Sequence, residues 1–249
     1  MISGVRDALS FLTILPLPCP LQSERAAGRM GRALAWFPLA GALIGALAGG
    51  VAWFVWREWS QAVGAWAGLA ALAILTGALH LDGFADTLDG FGAWKGKEKT
   101  LEIMRDSRIG TVGAVGLILL LGLQWSLLRE FDPGSWVRVL TVVCALSRFS
   151  MVLSAHLFPY VPGREGLGRV ATDERDPVSL GIALVSVFAL SCWLFGLRQG
   201  VILVAAATAV SWLASFWVVR RLGGITGDTL GAVNELTALV LLLALSVAG

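Results

Sequence analysis

Long apolar stretches alternate along this chain with short charged ones, and most of the apolar stretches can cross a bilayer. Membrane hydrocarbon needs about 20 apolar residues per helix. Charge-free runs near that length cover residues 33–56, 59–79, 109–128, 177–197 and 199–219. Residues 139–157 add a sixth run, interrupted only by Arg148, and residues 229–248 a seventh, which carries Asn234 and Glu235. The pattern predicts an all-α, polytopic membrane helix bundle of about seven transmembrane helices, forming one integral domain over residues 1–249. Residues 5–15 are apolar but too short to span, and Pro16, Pro18 and Pro20 stop them. This N-terminal segment is expected to be interfacial or re-entrant. The prolines also argue against a cleavable signal, and Pro18 before Cys19 against lipoprotein processing.

Composition agrees. Hydrophobic residues make up 57% of the chain and charged residues 14%, which excludes an ordinary soluble domain. The net charge of +2 is too small to suggest nucleic acid, so the lipid bilayer is the expected macroscopic partner. Of 19 Lys and Arg, only Arg57, Arg129, Arg138 and Arg198 fall on the side away from the N-terminus; Arg148 lies within a span. The positive-inside rule then makes the N-terminus cytoplasmic, in a cell membrane, with Arg25 among the inside charges. The segments 81–108, 158–177 and 220–235 face the cytoplasm under this reading, and catalytic groups are expected there. Gly41, Gly45 and Gly49, and then Gly64 and Gly68, predict close helix packing. Trp36, Trp56, Trp59, Trp125 and Trp136 fall near helix ends and read as interface anchors. Cys19, Cys144 and Cys192 have no metal-ligand spacing and read as apolar packing.

Three clusters carry chemistry. His80-Leu81-Asp82-Gly83-Phe84-Ala85-Asp86-Thr87-Leu88-Asp89-Gly90 follows the second apolar run. Its spacing puts Asp82, Asp86 and Asp89 on one helix face. Three like charges repel unless something offsets them, and Mg²⁺, a hard cation that prefers carboxylate oxygen, is the expected ligand. A solvated acidic helix start is the bland alternative. The second cluster is Arg105-Asp106-Ser107-Arg108-Ile109-Gly110-Thr111. Its arginines are candidate phosphate donors, and Ser107 could cap the next helix, leaving amides free for an anion. An ordinary positive flank with a cap explains it equally well. The third is Gly227-Asp228-Thr229-Leu230-Gly231-Ala232-Val233-Asn234-Glu235. Asp228 could cap the last helix. Glu235 lies two turns deeper, where an unpaired carboxylate is costly, and either pairs with Arg148 or reaches the metal site from below. His80 could orient Asp82 or act as a base; His156 reads as a buried polar partner.

At these motifs the chain resembles the cobalamin synthases, the adenosylcobinamide-GDP ribazoletransferases. The resemblance covers nearly the whole chain, from Phe11-Leu12-Thr13-Ile14-Leu15-Pro16 through Trp36-Phe37-Pro38-Leu39-Ala40-Gly41 and both acidic motifs to Gly227-Asp228-Thr229-Leu230-Gly231-Ala232. It implies an Mg²⁺-dependent transfer in the cytoplasmic membrane. The ribose 3′-hydroxyl of α-ribazole, or of its 5′-phosphate, attacks the corrinoid-side phosphorus of adenosylcobinamide-GDP, and GMP leaves. The resemblance further implies catalytic roles for His80, Asp82, Asp86, Asp89, Asp106 and Arg108. It implies substrate contacts for Arg105, Ser107, Gly110, Thr111, Arg148, Asp228, Thr229 and Glu235, with metal at Asp82, Asp86 and Asp89. Homo-oligomers, or association with other corrinoid biosynthesis enzymes, are compatible with it.

Two rival classes fit less well. CDP-alcohol phosphotransferases also place aspartates after Asp-Gly in a membrane bundle. However, Asp86 occupies the position of their arginine, and Phe91-Gly92-Ala93-Trp94 breaks the rest of their pattern. A cation-coupled transporter would use Glu235 and Arg148 in its pathway, but the two halves of the chain show no convincing repeat.

Overall fold

The computed structural model describes residues 2–17 and 29–248; the expectations for Pro18, Cys19, Pro20 and Arg25 lie outside these residues. Twelve α-helices follow in order: α1 (Ile2–Leu12), α2 (Arg29–Leu34), α3 (Phe37–Glu58), α4 (Gln61–Leu75), α5 (Leu79–Gly92), α6 (Lys97–Ile103), α7 (Thr111–Arg129), α8 (Trp136–Leu157), α9 (Leu167–Asp173), α10 (Pro177–Phe195), α11 (Leu197–Leu222) and α12 (Gly227–Ala248). Six of them, α3, α7, α8, α10, α11 and α12, are long and apolar enough to cross a membrane, as the hydrophobic pattern predicts. No strand occurs among the described residues; Tyr160 and Ile225 form an isolated bridge between two loops.

The expected second span departs from the prediction. The pattern over residues 59–79 reads as one straight helix, but the chain breaks after Leu75 and turns by 88° into α5. Gly77 and Ala78 both adopt left-handed backbone, at φ 58° and 57°. A right-handed helix cannot run through two such residues, and apolar patterning carries no signal for them. The freed carbonyls find partners: the amides of Gly77 and Ala78 donate to Ile74 and Ala73, and the amide of Ile14 donates to Leu75 at 2.9 Å. At its other end α4 is tied by Gln61, whose amide donates to the carbonyls of Arg129 and Phe131. The α4–α5 pair is thus one broken or re-entrant element rather than a simple crossing.

Helix α8 forms the centre of the bundle, buried along nearly its whole length. Gly41, Gly45 and Gly49 of α3 sit directly on its backbone at Cys144, Leu140 and Val137, where any β-carbon would collide. The small-residue stripe read from the sequence is therefore a packing seam. On its other flank, Ser150 and Ser154 meet Ser211 and Ser215 of α11 through hydroxyl contacts of 2.8–2.9 Å. Such bonds join helices where lipid offers no alternative partner. Trp136, expected at an interface, is instead fully buried, with its indole donating to the Leu128 carbonyl at 2.8 Å. Helix α1 does not span; Ala8 and Leu12 bury it against the bundle.

Contacts between distant segments collect at one end of the bundle. There Glu174 accepts from the amides of Met30 and Gly31, His156 meets the Asp176 carbonyl, and Gly83 rests on Asp228. The three chemical clusters share this end.

Candidate active site

Helix α5 lies across the N-terminal ends of two spans. At its start, a β-carbon on Gly83 would stand 2.7 Å from the Asp228 carbonyl oxygen, and one on Gly231 would stand 3.1 Å from the His80 carbonyl oxygen. Glycine at both positions lets α5 and α12 approach backbone to backbone. Further along, Asp89 reaches the start of α7. Its Oδ2 accepts from the Gly110 amide at 2.7 Å and its Oδ1 from the Gly113 amide at 2.8 Å. The first amides of a helix lack intrahelical partners and carry partial positive charge, so a carboxylate binds well there. This corrects two expectations. Asp89 is an interhelical cap rather than a free third carboxylate for a cation. Ser107 does not cap α7, and those amides are not open to an anion.

Asp82 and Asp228 face a cavity of about 380 Å³, lined also by His80, Tyr160, Arg164 and Glu165. Phe11, Leu34, Phe37 and Met151 add apolar lining. Contrary to expectation, Asp228 is not the cap of α12; that role belongs to Thr226 and Thr229. The Thr229 hydroxyl accepts from the Thr226 amide at 2.7 Å, and the Thr226 hydroxyl accepts from the Thr229 amide at 3.2 Å. This frees Asp228 to turn toward Arg164, at 3.4 Å. Asp86, beside the cavity, feels Asp82, Asp228 and Asp89 as neighbouring charges, with Arg164 opposing them. Tyr160 accepts from the Gly227 amide, and burial pushes its phenol up while Arg164 opposes the rise.

Among the described residues, no three carboxylate, imidazole or thiol groups converge on one point. The donors at the cavity are nevertheless hard carboxylate oxygens with too little positive charge among them. Mg²⁺ is commonly held by one or two carboxylates, with water and substrate phosphate completing the shell. Asp82 and Asp228, which line the cavity, fit that requirement, with Asp86 beside them, whereas Asp89 is engaged by the Gly110 and Gly113 amides.

Arg148 and Glu235 stand elsewhere. They line a separate, smaller pocket of about 40 Å³, together with Gln124, Cys144 and Thr76. No ion pair within 4.0 Å joins them, so the first of the two alternatives, a direct pair, is not formed. Glu235 instead accepts from Gln124 at 3.2 Å and Asn234 at 3.1 Å, and Arg148 donates to Ser147 at 3.0 Å. His80 is buried at the wall of the open cavity, and its Nε2 has no partner. His156, as expected, is a structural partner, bonded at both ring nitrogens to backbone carbonyls.

The second cluster lies outside the cavity lining. Arg108 and Asp106 pair with each other at 2.7 Å on the surface, and hydrogen bonds from Arg108 hold the Asp106 carboxyl down at about 2. Arg105, Ser107 and Thr111 are exposed. Two cavity residues were not singled out from the sequence: Tyr160 and Arg164. A usable signal was present, since Arg164 is bracketed by Gly163 and Gly166 in the long 158–177 connection.

Fold and site together define a polytopic helical membrane protein with a carboxylate-rich cavity at one end of its bundle. The profile of the Cobalamin-5-phosphate synthase family matches residues 4–246, and the chain belongs to that family. It is similar to the adenosylcobinamide-GDP ribazoletransferase of Klebsiella pneumoniae (strain 342), with 39% identity over 98% of this chain and 100% of that protein. The protein of the same name from Roseiflexus sp. (strain RS-1) is 38% identical over 97% of this chain and 88% of its own length. That from Desulforamulus reducens is 34% identical, over 95% and 93%. No solved structure matches the chain.

Proposed function

We propose that this chain is an adenosylcobinamide-GDP ribazoletransferase of the cytoplasmic membrane, with its open cavity facing the cytoplasm. The ribose 3′-hydroxyl of α-ribazole, or of its 5′-phosphate, attacks the corrinoid-side phosphorus. A new phosphodiester forms, and the bond to the GMP phosphate oxygen breaks. The observation that carries this reading is the mixed lining of the cavity, which brings the carboxylates of Asp82 and Asp228 and the guanidinium of Arg164 together with apolar side chains. The charged groups suit a metal-bound diphosphate, and the apolar side chains suit a planar base or the edge of a corrin ring.

Mg²⁺, held by one or two of Asp82, Asp86 and Asp228, would supply charge neutralisation at the diphosphate. The proton leaving the ribose hydroxyl passes to a group at the cavity, where Asp82 and His80 stand, with Asp86 beside them. Glycine contacts between α5 and α12 hold Asp82 and Asp228 in fixed relation before substrate arrives. The bias of Arg and Lys toward the cavity end supports the orientation.

The test is direct. Detergent-purified protein, adenosylcobinamide-GDP, α-ribazole and Mg²⁺ should yield adenosylcobalamin and stoichiometric GMP, and EDTA should stop the reaction. A transporter would release no GMP. An unchanged substrate pool with folded protein would overturn the assignment.

A further inference from the structure

Among the described residues, Arg164 is the only arginine or lysine lining the open cavity. It belongs to the loop between α8 and α9, between Gly163 at φ 74° and Gly166 at φ 139°. Its side chain is only 9% exposed, yet its Nη1 makes no hydrogen bond. The approach to Asp228 at 3.4 Å is long for an arginine–carboxylate pair. Elsewhere in the same chain Arg29 meets Asp7 at 2.9 Å and Arg108 meets Asp106 at 2.7 Å. Arg164 is therefore desolvated without being satisfied. Leaving a buried charged donor unmatched is unfavourable, and a ligand oxygen would relieve it. A second unmatched polar atom, Nε2 of buried His80, lines the same cavity.

We infer that Arg164 is the diphosphate-binding residue of this site, with Asp228 holding its guanidinium toward the cavity. This rests on the transferase reading and goes beyond it by assigning the anion contact to a loop residue instead of Arg105 or Arg108. The fork of guanidinium donors matches two phosphate oxygens at once. Within a wall of carboxylates, it is the group that lets a polyanion enter.

The experiment separates this inference from the reading beneath it. Wild-type turnover of adenosylcobinamide-GDP with α-ribazole tests the reading. Equilibrium binding of adenosylcobinamide-GDP in EDTA, with inorganic pyrophosphate as competitor, tests Arg164 without turnover. In Arg164→Gln, affinity for both phosphate compounds should fall about 10- to 100-fold, the loss typical of one charged hydrogen-bonding contact. Arg164→Lys, which keeps the charge but not the fork, should lie between. The KM for α-ribazole should stay within about twofold. Should Arg164→Gln fail to fold, Arg164→Lys carries the test. Unchanged pyrophosphate competition in a folded variant would overturn the inference. So would an equal rise in the KM of both substrates, which marks a structural role through Asp228.

Discussion

Asp228 and Glu235 stand seven residues apart on α12, and their surroundings are built on opposite terms. Glu235 shares a small pocket with Arg148, and protein groups answer it there: Gln124 and Asn234 donate to its oxygens. Asp228 opens on a cavity roughly ten times larger, where carboxylates crowd and one arginine is only loosely held. Charges in a membrane bundle are costly, so those satisfied internally hold the structure together. Charges left under-compensated at an open cavity await a ligand, and such groups mark functional sites. The comparison predicts that the two regions fail in different ways when mutated.

The largest effect should come from the open cavity. Asp82→Asn and Asp228→Asn should each lower the rate by at least about 100-fold, since one electrostatic contact to developing charge is typically worth about 3 kcal/mol. Thermal melting in detergent should move little, because neither carboxylate caps a helix or joins two spans. Near-normal turnover in either variant would break the comparison at its functional half.

The smaller pocket should behave inversely. Arg148→Met leaves the Glu235 carboxylate without its nearest opposite charge, and uncompensated buried charges cost about 3–5 kcal/mol. Melting should fall sharply, while the Mg²⁺ concentration needed for half-maximal rate stays unchanged in the protein that remains folded. Glu235→Gln should destabilise less, because Gln124 and Asn234 still find an acceptor oxygen. Combining the two should cost less than their sum, since charges that share one pocket are not additive. A normal melting curve with a raised Mg²⁺ requirement in Glu235→Gln would move that residue into the active site.

Asp89 tests the boundary between the two kinds of region. It is part of the acidic motif but is spent on the amides of Gly110 and Gly113. Asp89→Ala should cost about 1–2 kcal/mol of stability, as the loss of a helix cap does. Pyrophosphate binding should change little. Weaker binding with full stability would return Asp89 to the metal-binding set.

Much of this was legible in the sequence, for identifiable reasons. Span length and Gly41-Gly45-Gly49 packing depend on residue type alone, and both were read. So was the sharing of one membrane end by the clusters around Asp82, Asp106 and Asp228, which follows from counting crossings. The bend at Gly77-Ala78 was not, because Ala78 gives no hint of a left-handed backbone. Spacing placed Asp82, Asp86 and Asp89 on one face but could not say that α7 would meet that face at Asp89. The capping of α12 was missed because Thr226 and Thr229 outcompete Asp228 for the amides. Arg164 was counted as an inside charge, since nothing in the 158–177 loop shows that it folds back over α12.

The smallest effect should fall on the surface pair of the second cluster. Asp106 and Arg108 form a tight side-chain ion pair at 2.7 Å, yet their side chains are 41% and 86% exposed. Water and salt screen such a pair, and its geometry alone does not make it important. The Asp106 carboxyl is held at about 2, below its ordinary range. Whatever the pair contributes is therefore present above the ordinary carboxylate pKa and is lost only as pH falls toward 2. Between pH 5 and 8 the pair is fully charged and adds no pH dependence. Asp106→Asn and Arg108→Ala should accordingly leave melting unchanged and kcat/KM within about twofold, with the same pH profile as wild type. Steady-state rates across that pH range check this. A loss above about tenfold in Arg108→Ala, with melting intact, would mean that the 104–110 loop closes on the substrate. The open cavity would then be only part of the working site.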